Sequence, residues 1–155
     1  MSLGRPGTPS VQNGIQWEGM KEMAERMKGL SREVQDRLAF RAVSAAARNV
    51  RKSAQDNIQS YGLIDTGALI GNVAIAKQKP QGLTFSYDIG VRHGSKKQKK
   101  EDDDPFYWFM LEFGTVKRPG TPFLTVAFEQ EKEASLEIMR KSLSGGIERE
   151  LAKKQ

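Results

Sequence analysis

Apolar positions recur with two periods along this chain, about four residues in its long stretches and two in one short stretch, and the switch between them sets the expected fold. Met20, Met23, Met27 and Leu30 fall at helical spacing while Lys21, Glu22, Glu25 and Lys28 face away, which predicts a short amphipathic helix interrupted at Gly29. A methionine stripe of this kind serves either as core filler or as a docking surface. Ser31 is a candidate cap for the main helix, over 32–60. There Val34, Leu38, Ala42, Ala46, Val50, Ala54 and Ile58 recur every four residues, Val43 and Ala47 widen the face, and Arg32, Arg37, Arg41, Arg48 and Arg51 fall on the other side. Gly62 ends it. At 1.5 Å per residue such a rod is about 43 Å long, so part of it is expected to extend past the core or to meet a neighbouring subunit.

A smaller unit follows. Asp65 or Thr66 caps a short helical turn through Leu69 and Ile70, and Gly71 releases the chain into a strand over 72–79 with Val73 and Ile75 on one face. Lys79-Pro80-Gln81-Gly82 has Pro and Gly where a type I turn prefers them, which predicts a hairpin. Its second strand is the clearest in the chain: Leu83, Phe85, Tyr87, Ile89 and Val91 alternate with Thr84, Ser86, Asp88 and Gly90. Residues 92–105 then form a charged insertion with nothing apolar to anchor it, expected to be a mobile loop.

The aromatic-rich stretch over 106–129 reads as a corner between two elements. Asp104-Pro105 is a cap-and-start pair, 106–112 gives about two helical turns, and Gly114 takes a left-handed backbone to end them; a short apolar run also suits a strand. Thr121-Pro122 repeats the cap-then-proline signature. The helix it opens carries Phe123, Leu124, Val126, Ala127, Phe128, Ala134, Leu136, Ile138 and Met139, runs to about Leu143, and is expected to break at Gly145-Gly146 before a frayed tail over 146–155. Trp108, Phe113 and Phe123 are the predicted core beneath the corner. The resulting expectation is an α+β fold: a long N-terminal helix and a C-terminal helix packed on a small antiparallel sheet, as one domain over 17–145 behind an arm over 1–16.

Composition changes this picture in two places. With 155 residues, 37% hydrophobic, and a mean hydropathy of −0.59, the chain is lean for a compact monomer, so tails, loops or an oligomer interface are expected to take up part of it. A formal net charge of +6 suits an acidic partner, nucleic acid or protein, or simply solubility. There is no cysteine and a single histidine, which removes thiol chemistry and makes an imidazole-based metal site unexpected. No run is long and apolar enough to cross a membrane, and 1–16 lacks the apolar segment of a signal peptide.

Candidate chemistry is sparse. Neither GxGxxG nor GxxxxGK[ST] occurs, and His93 sits in the charged segment without an orienting group. Glu112, an acid among aromatics, has two readings. It is a general acid, or it reaches solvent, or it braces the corner by pairing with Lys117 or Arg118 or by binding backbone amides of the turn. A hydrolase would need a second acid on a rigid element, for which only Asp65 and Asp88 are available. Phosphate contacts fall to the main-helix arginines and to Lys96, Lys97, Lys99 and Lys100, although Glu101, Asp102, Asp103 and Asp104 follow directly and would repel the same backbone. Aromatics at 106–109 are expected in the core rather than stacked on bases.

One resemblance joins these features. Tyr107-Trp108, Leu111-Glu112-Phe113-Gly114-Thr115, Pro122-Phe123-Leu124 and Ala127-Phe128-Glu129 together resemble the "EFGT … PFL.PAFE" signature of the HK97-type tail-completion, or neck, proteins of long-tailed phages. Thr125 stands where that family often has Arg, Lys or Gln, and Val126 replaces its Pro. Upstream, Asp65-Thr66-Gly67-Ala68-Leu69 looks like the family's D-T-G-x-L element. The resemblance implies a virion-assembly protein without catalysis or cofactor, a ring-forming neck component that completes the tail and joins it to the DNA-filled head. Its implied partners are further copies of itself and other tail or head-connector proteins, with channel DNA nearby; it would sit in the virion after assembly in the host cytoplasm. Candidate partner contacts are Arg37, Arg41 and Arg48 on the main helix and Lys96, Lys97, Lys99, Lys100, Asp102, Asp103 and Asp104 in the loop. The rival readings are a small basic nucleic-acid-binding protein and a hydrolase using Glu112.

Overall fold

The computed structural model describes residues 19–63, 67–82, 84–93 and 105–155. Asp65, Thr66, the lysines and acids of 96–104, and the arm over 1–16 lie outside the described residues. Elements follow in the order α1 (Met20–Lys28), α2 (Arg32–Ser60), α3 (Ala68–Asn72), β1 (Val73–Lys77), β2 (Tyr87–Val91), α4 (Trp108–Phe113) and α5 (Phe123–Ala152). The chain is α+β, with the long helices α2 and α5 packed on a two-stranded antiparallel sheet.

α2 begins and ends on local signals. The Ser31 hydroxyl accepts from the Val34 amide at 3.4 Å. At the far end Gly62 takes φ +69°, the Gly62 amide donates to the Gln59 carbonyl, and the Leu63 amide donates to the Ile58 carbonyl. These two bonds form a Schellman ending, with Leu63 packed against the cluster that contains Ile58. Leu38, Ala42, Ala46, Ala47, Val50, Ala54 and Ile58 are buried, as the four-residue period requires. Phe40 is buried as well, off that stripe. Its ring lies edge-on to Phe85 and Tyr87, with the Lys77 ammonium 3.7 Å from the ring centre, so the hairpin covers a second face of α2.

The rod does not project, because α5 runs antiparallel beside it over its length. Asn57 near the end of α2 donates to the Phe123 carbonyl at the start of α5 (3.1 Å), and Arg37 near the start of α2 meets Glu150 near the end of α5 (2.8 Å). Midway, the Asn49 amide donates to Glu131 (2.8 Å) and to the Ser135 hydroxyl (3.2 Å), which in turn reaches the Ala46 carbonyl (3.5 Å). A polar layer in an otherwise apolar seam fixes the register of the two helices, since sliding either one would strand these groups.

Gly145-Gly146 does not break α5, and 146–155 is not a frayed tail: the helix continues to Ala152, with Ile147 fully buried. The reason is a close approach. A side chain at Gly146 would lie 2.6 Å from a Leu38 methyl, so the glycine lets α2 and α5 approach closely there. Ile147 joins Met23, Leu30 and Leu38 in one apolar cluster, with Met27, Val34, Leu143 and Leu151 beside it. Met23 and Met27 are therefore core filler between α1 and the helix pair. A larger cluster at the opposite end gathers Val50, Ala54, Ile58, Leu69, Val73, Val91, Trp108, Phe123 and Ala127.

The sheet pairs Val73 with Val91 through Lys77 with Tyr87. The hairpin turn lies two residues later than the proline suggests. Gln81 and Thr84 exchange backbone bonds of 3.1 and 2.9 Å around Gly82, at φ +60°, and Arg32 donates to the Gly82 carbonyl at 3.0 Å. A glycine with positive φ matches the twist of a two-residue hairpin loop better than a proline-led turn does.

These contacts predict opposite effects from adjacent glycines. Gly145→Ala should stabilise by about 0.5–1 kcal/mol, because its new methyl meets only the Arg149 side chain at 3.5 Å. Gly146→Val should destabilise by about 1–3 kcal/mol through overpacking, and Ile147→Ala by about 2–5 kcal/mol; urea midpoints check all three. The Lys153 ammonium, hydrogen-bonded to Glu150, and the Arg37 guanidinium hold the Glu150 carboxyl below its ordinary value of 4.5. A carboxyl depressed in the folded state stabilises above its unfolded pKa, and the contribution is lost as pH falls through the folded value. Glu150→Gln should therefore narrow the gap between unfolding midpoints at about pH 7 and pH 3.

Candidate functional site

The corner between α4 and α5 gathers most of the signature residues, and one carboxylate holds it together. α4 is helical, settling the helix-or-strand ambiguity, and starts at Trp108 behind a turn in which the Trp108 amide donates to the Pro105 carbonyl at 3.0 Å. This is later than a start at Pro105, and Asp104 lies outside the described residues. The helix turns Trp108, Leu111 and Glu112 inward: Trp108 is buried, Leu111 packs against the large cluster, and Glu112 is 3% exposed.

Glu112 does what a residue at the head of α5 was expected to do. Pro122 occupies the cap position with no side chain to offer, and Thr121, one residue earlier, instead donates its amide to the Leu111 carbonyl at 2.6 Å. The Glu112 carboxylate closes the gap. Oε2 accepts from the Leu124 amide at 2.9 Å, and Oε1 accepts from the Thr125 amide at 2.7 Å and the Thr125 hydroxyl at 2.5 Å. Leu124 and Thr125 are the second and third residues of α5, the positions whose free amides a local cap would satisfy. A buried anion is costly without partners, and here it has three donors and the positive end of a 30-residue helix. Of the readings open to Glu112, the amides and hydroxyl of α5 hold it; it pairs with neither Lys117 nor Arg118.

The intervening loop is a rigid bridge. Gly114 adopts φ +80° and ψ −179°, a positive-φ conformation though not the left-handed helical one, in a region reserved for glycine. A methyl there would lie 2.5 Å from the Gly120 nitrogen, and one at Gly120 would lie 2.7 Å from the Glu112 carbonyl oxygen, so the two backbones touch. Thr115 and Arg118 exchange backbone bonds of 2.8 and 3.3 Å, and the Thr115 hydroxyl accepts from the Lys117 amide. Val116, Lys117 and Arg118 stand at the exposed tip.

The two signature pieces meet in one core. Gly67 precedes α3 with φ +82°, and Leu69 behind it joins Trp108, Phe123 and, at the margin, Leu124 in the large cluster. Phe113 does not join them. It is 61% exposed, a correction to its predicted core position, and Phe106 and Phe109 are exposed as well. Helical spacing gives the reason for Phe109 and Phe113: 108, 111 and 112 claim the inner face, which turns 109, 110 and 113 outward, and Phe106 lies in the turn before the helix. The Trp108 indole N–H is buried with no acceptor among the described residues.

Arg37, Arg41 and Arg48 share one flank of α2. Arg37 is engaged with Glu150 across the seam, Arg48 donates to the Ser44 carbonyl and hydroxyl, and Arg41 is exposed. Among the described residues no group of three or more His, Asp or Glu side chains could hold a metal ion, and no helix is long and apolar enough to cross a membrane. Sequence reasoning missed Asn49, Glu131 and Ser135, because an isolated polar residue on a helix gives no local sign that it faces another helix. Compared with protein-family models, curated proteins and solved structures, the chain matches none.

Removing the carboxylate tests its role. Glu112→Ala should cost about 2–4 kcal/mol, combining a lost cap with donors left unpaired in the interior. Glu112→Gln, which keeps one acceptor oxygen but turns an NH2 donor toward the other backbone amide and loses the charge at the helix end, should cost about 1–3 kcal/mol. Gly114→Ala should cost at least about 3 kcal/mol from strain and the backbone clash together. Denaturant unfolding orders the three.

Proposed function

We propose that this chain is a structural virion-assembly protein of a long-tailed bacteriophage, a ring-forming neck component that completes the tail and joins it to the head. The observation that supports this reading most is the physical unity of the signature. Glu112, Gly114, Phe123 and Leu124, conspicuous in sequence as separate pieces, act as one device that locks α4 to the head of α5. The residues of the signature thus build a rigid corner, and the acid that a hydrolase would need is already bonded at both oxygens.

The exposed Arg41 and the neighbouring Arg48 on one flank of a basic chain favour a second reading, a nucleic-acid-binding protein. The two readings separate cleanly. Under the assembly reading, inactivating the gene in its phage should leave full heads and uncompleted tails that fail to join, visible by electron microscopy, and adding the purified protein should restore joined particles. Normally joined particles in its absence would overturn that reading. Under the nucleic-acid reading, affinity for duplex DNA should fall by about 10³ or more between about 50 and 200 mM salt for six or more phosphate contacts.

A further inference from the structure

α4 is apolar on both sides. Trp108 and Leu111 face the core, and Phe109, Met110 and Phe113, with Phe106 in the turn before the helix, face outward, exposed by 47, 42, 61 and 57%. Its single charge, Glu112, is turned inward and bonded to α5. A helix apolar all round belongs in a buried setting, and one side of this one has no cover among the described residues. Two further exposed apolar side chains belong to the segments that flank the helix. Val116 stands fully exposed on the rigid tip two residues beyond Gly114, and the half-exposed Phe128 lies one turn along α5 from Leu124, whose amide is bonded to Glu112. With aromatic side chains contributing about 150–250 Å² each when buried, these six residues offer about 500–700 Å² of apolar surface.

We propose that two copies of this chain pair through this surface, same face to same face. The size fits: two such faces together bury about 1,000–1,400 Å², above the roughly 1,000 Å² expected of a genuine contact and at the low end of stable interfaces. The composition fits as well, since the centres of interfaces are rich in aromatic residues and methionine and poor in charge. The partner follows from what else the surface offers. Apart from these six, Tyr61 at the end of α2 is the only exposed large apolar side chain among the described residues, so among those residues a second copy offers no other apolar surface of matching size. An uncharged face can meet itself without opposing like charges. The pairing stands on this surface alone and does not depend on the assembly reading.

The absence of native cysteine makes a direct test simple. Purified full-length chain should sediment as a monomer–dimer mixture with a dissociation constant of about 1–100 μM. The double variant Phe109→Lys/Phe113→Lys should weaken that constant by about 100-fold or more while keeping its circular dichroism and unfolding midpoint, since both side chains are exposed. Under diamide, at least one of the single variants Phe109→Cys, Met110→Cys and Phe113→Cys should give a covalent dimer, and Lys52→Cys, exposed on α2, should not. Three results would each overturn the proposal: a wild type that stays monomeric to about 1 mM, a double variant that dimerises as the wild type does, or variants that become monomeric with no covalent dimer at any of the three positions. The last result would mean that another surface, another protein or another segment of the same chain covers the face.

Discussion

A carboxylate buried against the first turn of another helix is the constraint on which the rest of this fold depends. α5 has a proline at its cap position and so arrives without a local means of satisfying its leading amides. Glu112, twelve and thirteen residues before its partners, supplies both oxygens. That requirement fixes the angle and distance between α4 and α5, and it explains why the bridge must double back tightly enough for Gly114 and Gly120 to touch through their backbones. The corner then sets Phe123 and Trp108 into the cluster completed by Leu69, Ile58 and the strands.

From that corner the helix pair carries order to the far end of the molecule. Asn57 ties the head of α5 to α2, the layer of Asn49, Glu131 and Ser135 prevents sliding, and Gly146 lets Leu38 approach so that Ile147 reaches the second cluster. Two small cores at opposite ends of an antiparallel pair account for a modest hydrophobic content: the helices share one seam instead of surrounding one large interior. Having its inner face claimed by the corner is also what leaves α4 with an aromatic outer face.

Much of this was legible in sequence wherever the signal was local. Ser31 and Gly62 bounded α2, its four-residue period named its buried face, and the alternation from Leu83 to Val91 named the strand, which the structure shortens to Tyr87–Val91, because each depends on neighbours within a turn or a pleat. The errors share the opposite property. Gly145-Gly146 looked like a break because glycine lowers helix propensity, and only the position of Leu38 across the seam makes it favourable. Thr121 looked like a cap because capping is read from adjacent residues, whereas the true cap comes from a different helix. Phe113 looked like core because it is large and apolar; which face of a two-turn helix is inward depends on where that helix is docked. The role of Glu112 lay between these cases: bonding to backbone amides of the adjacent turn was one of several options that the sequence left open, and tertiary geometry placed the bonds on the first amides of α5 instead.

Hydrogen exchange at the head of α5 tests the central claim most directly. First-turn amides have no partner within their own helix and ordinarily exchange fast. Capped by a buried Glu112, the amides of Leu124 and Thr125 should exchange as slowly as that of the buried Ala127 one turn further on, and through the same opening. Rapid exchange at Leu124 and Thr125 beside a protected Ala127 would contradict the account.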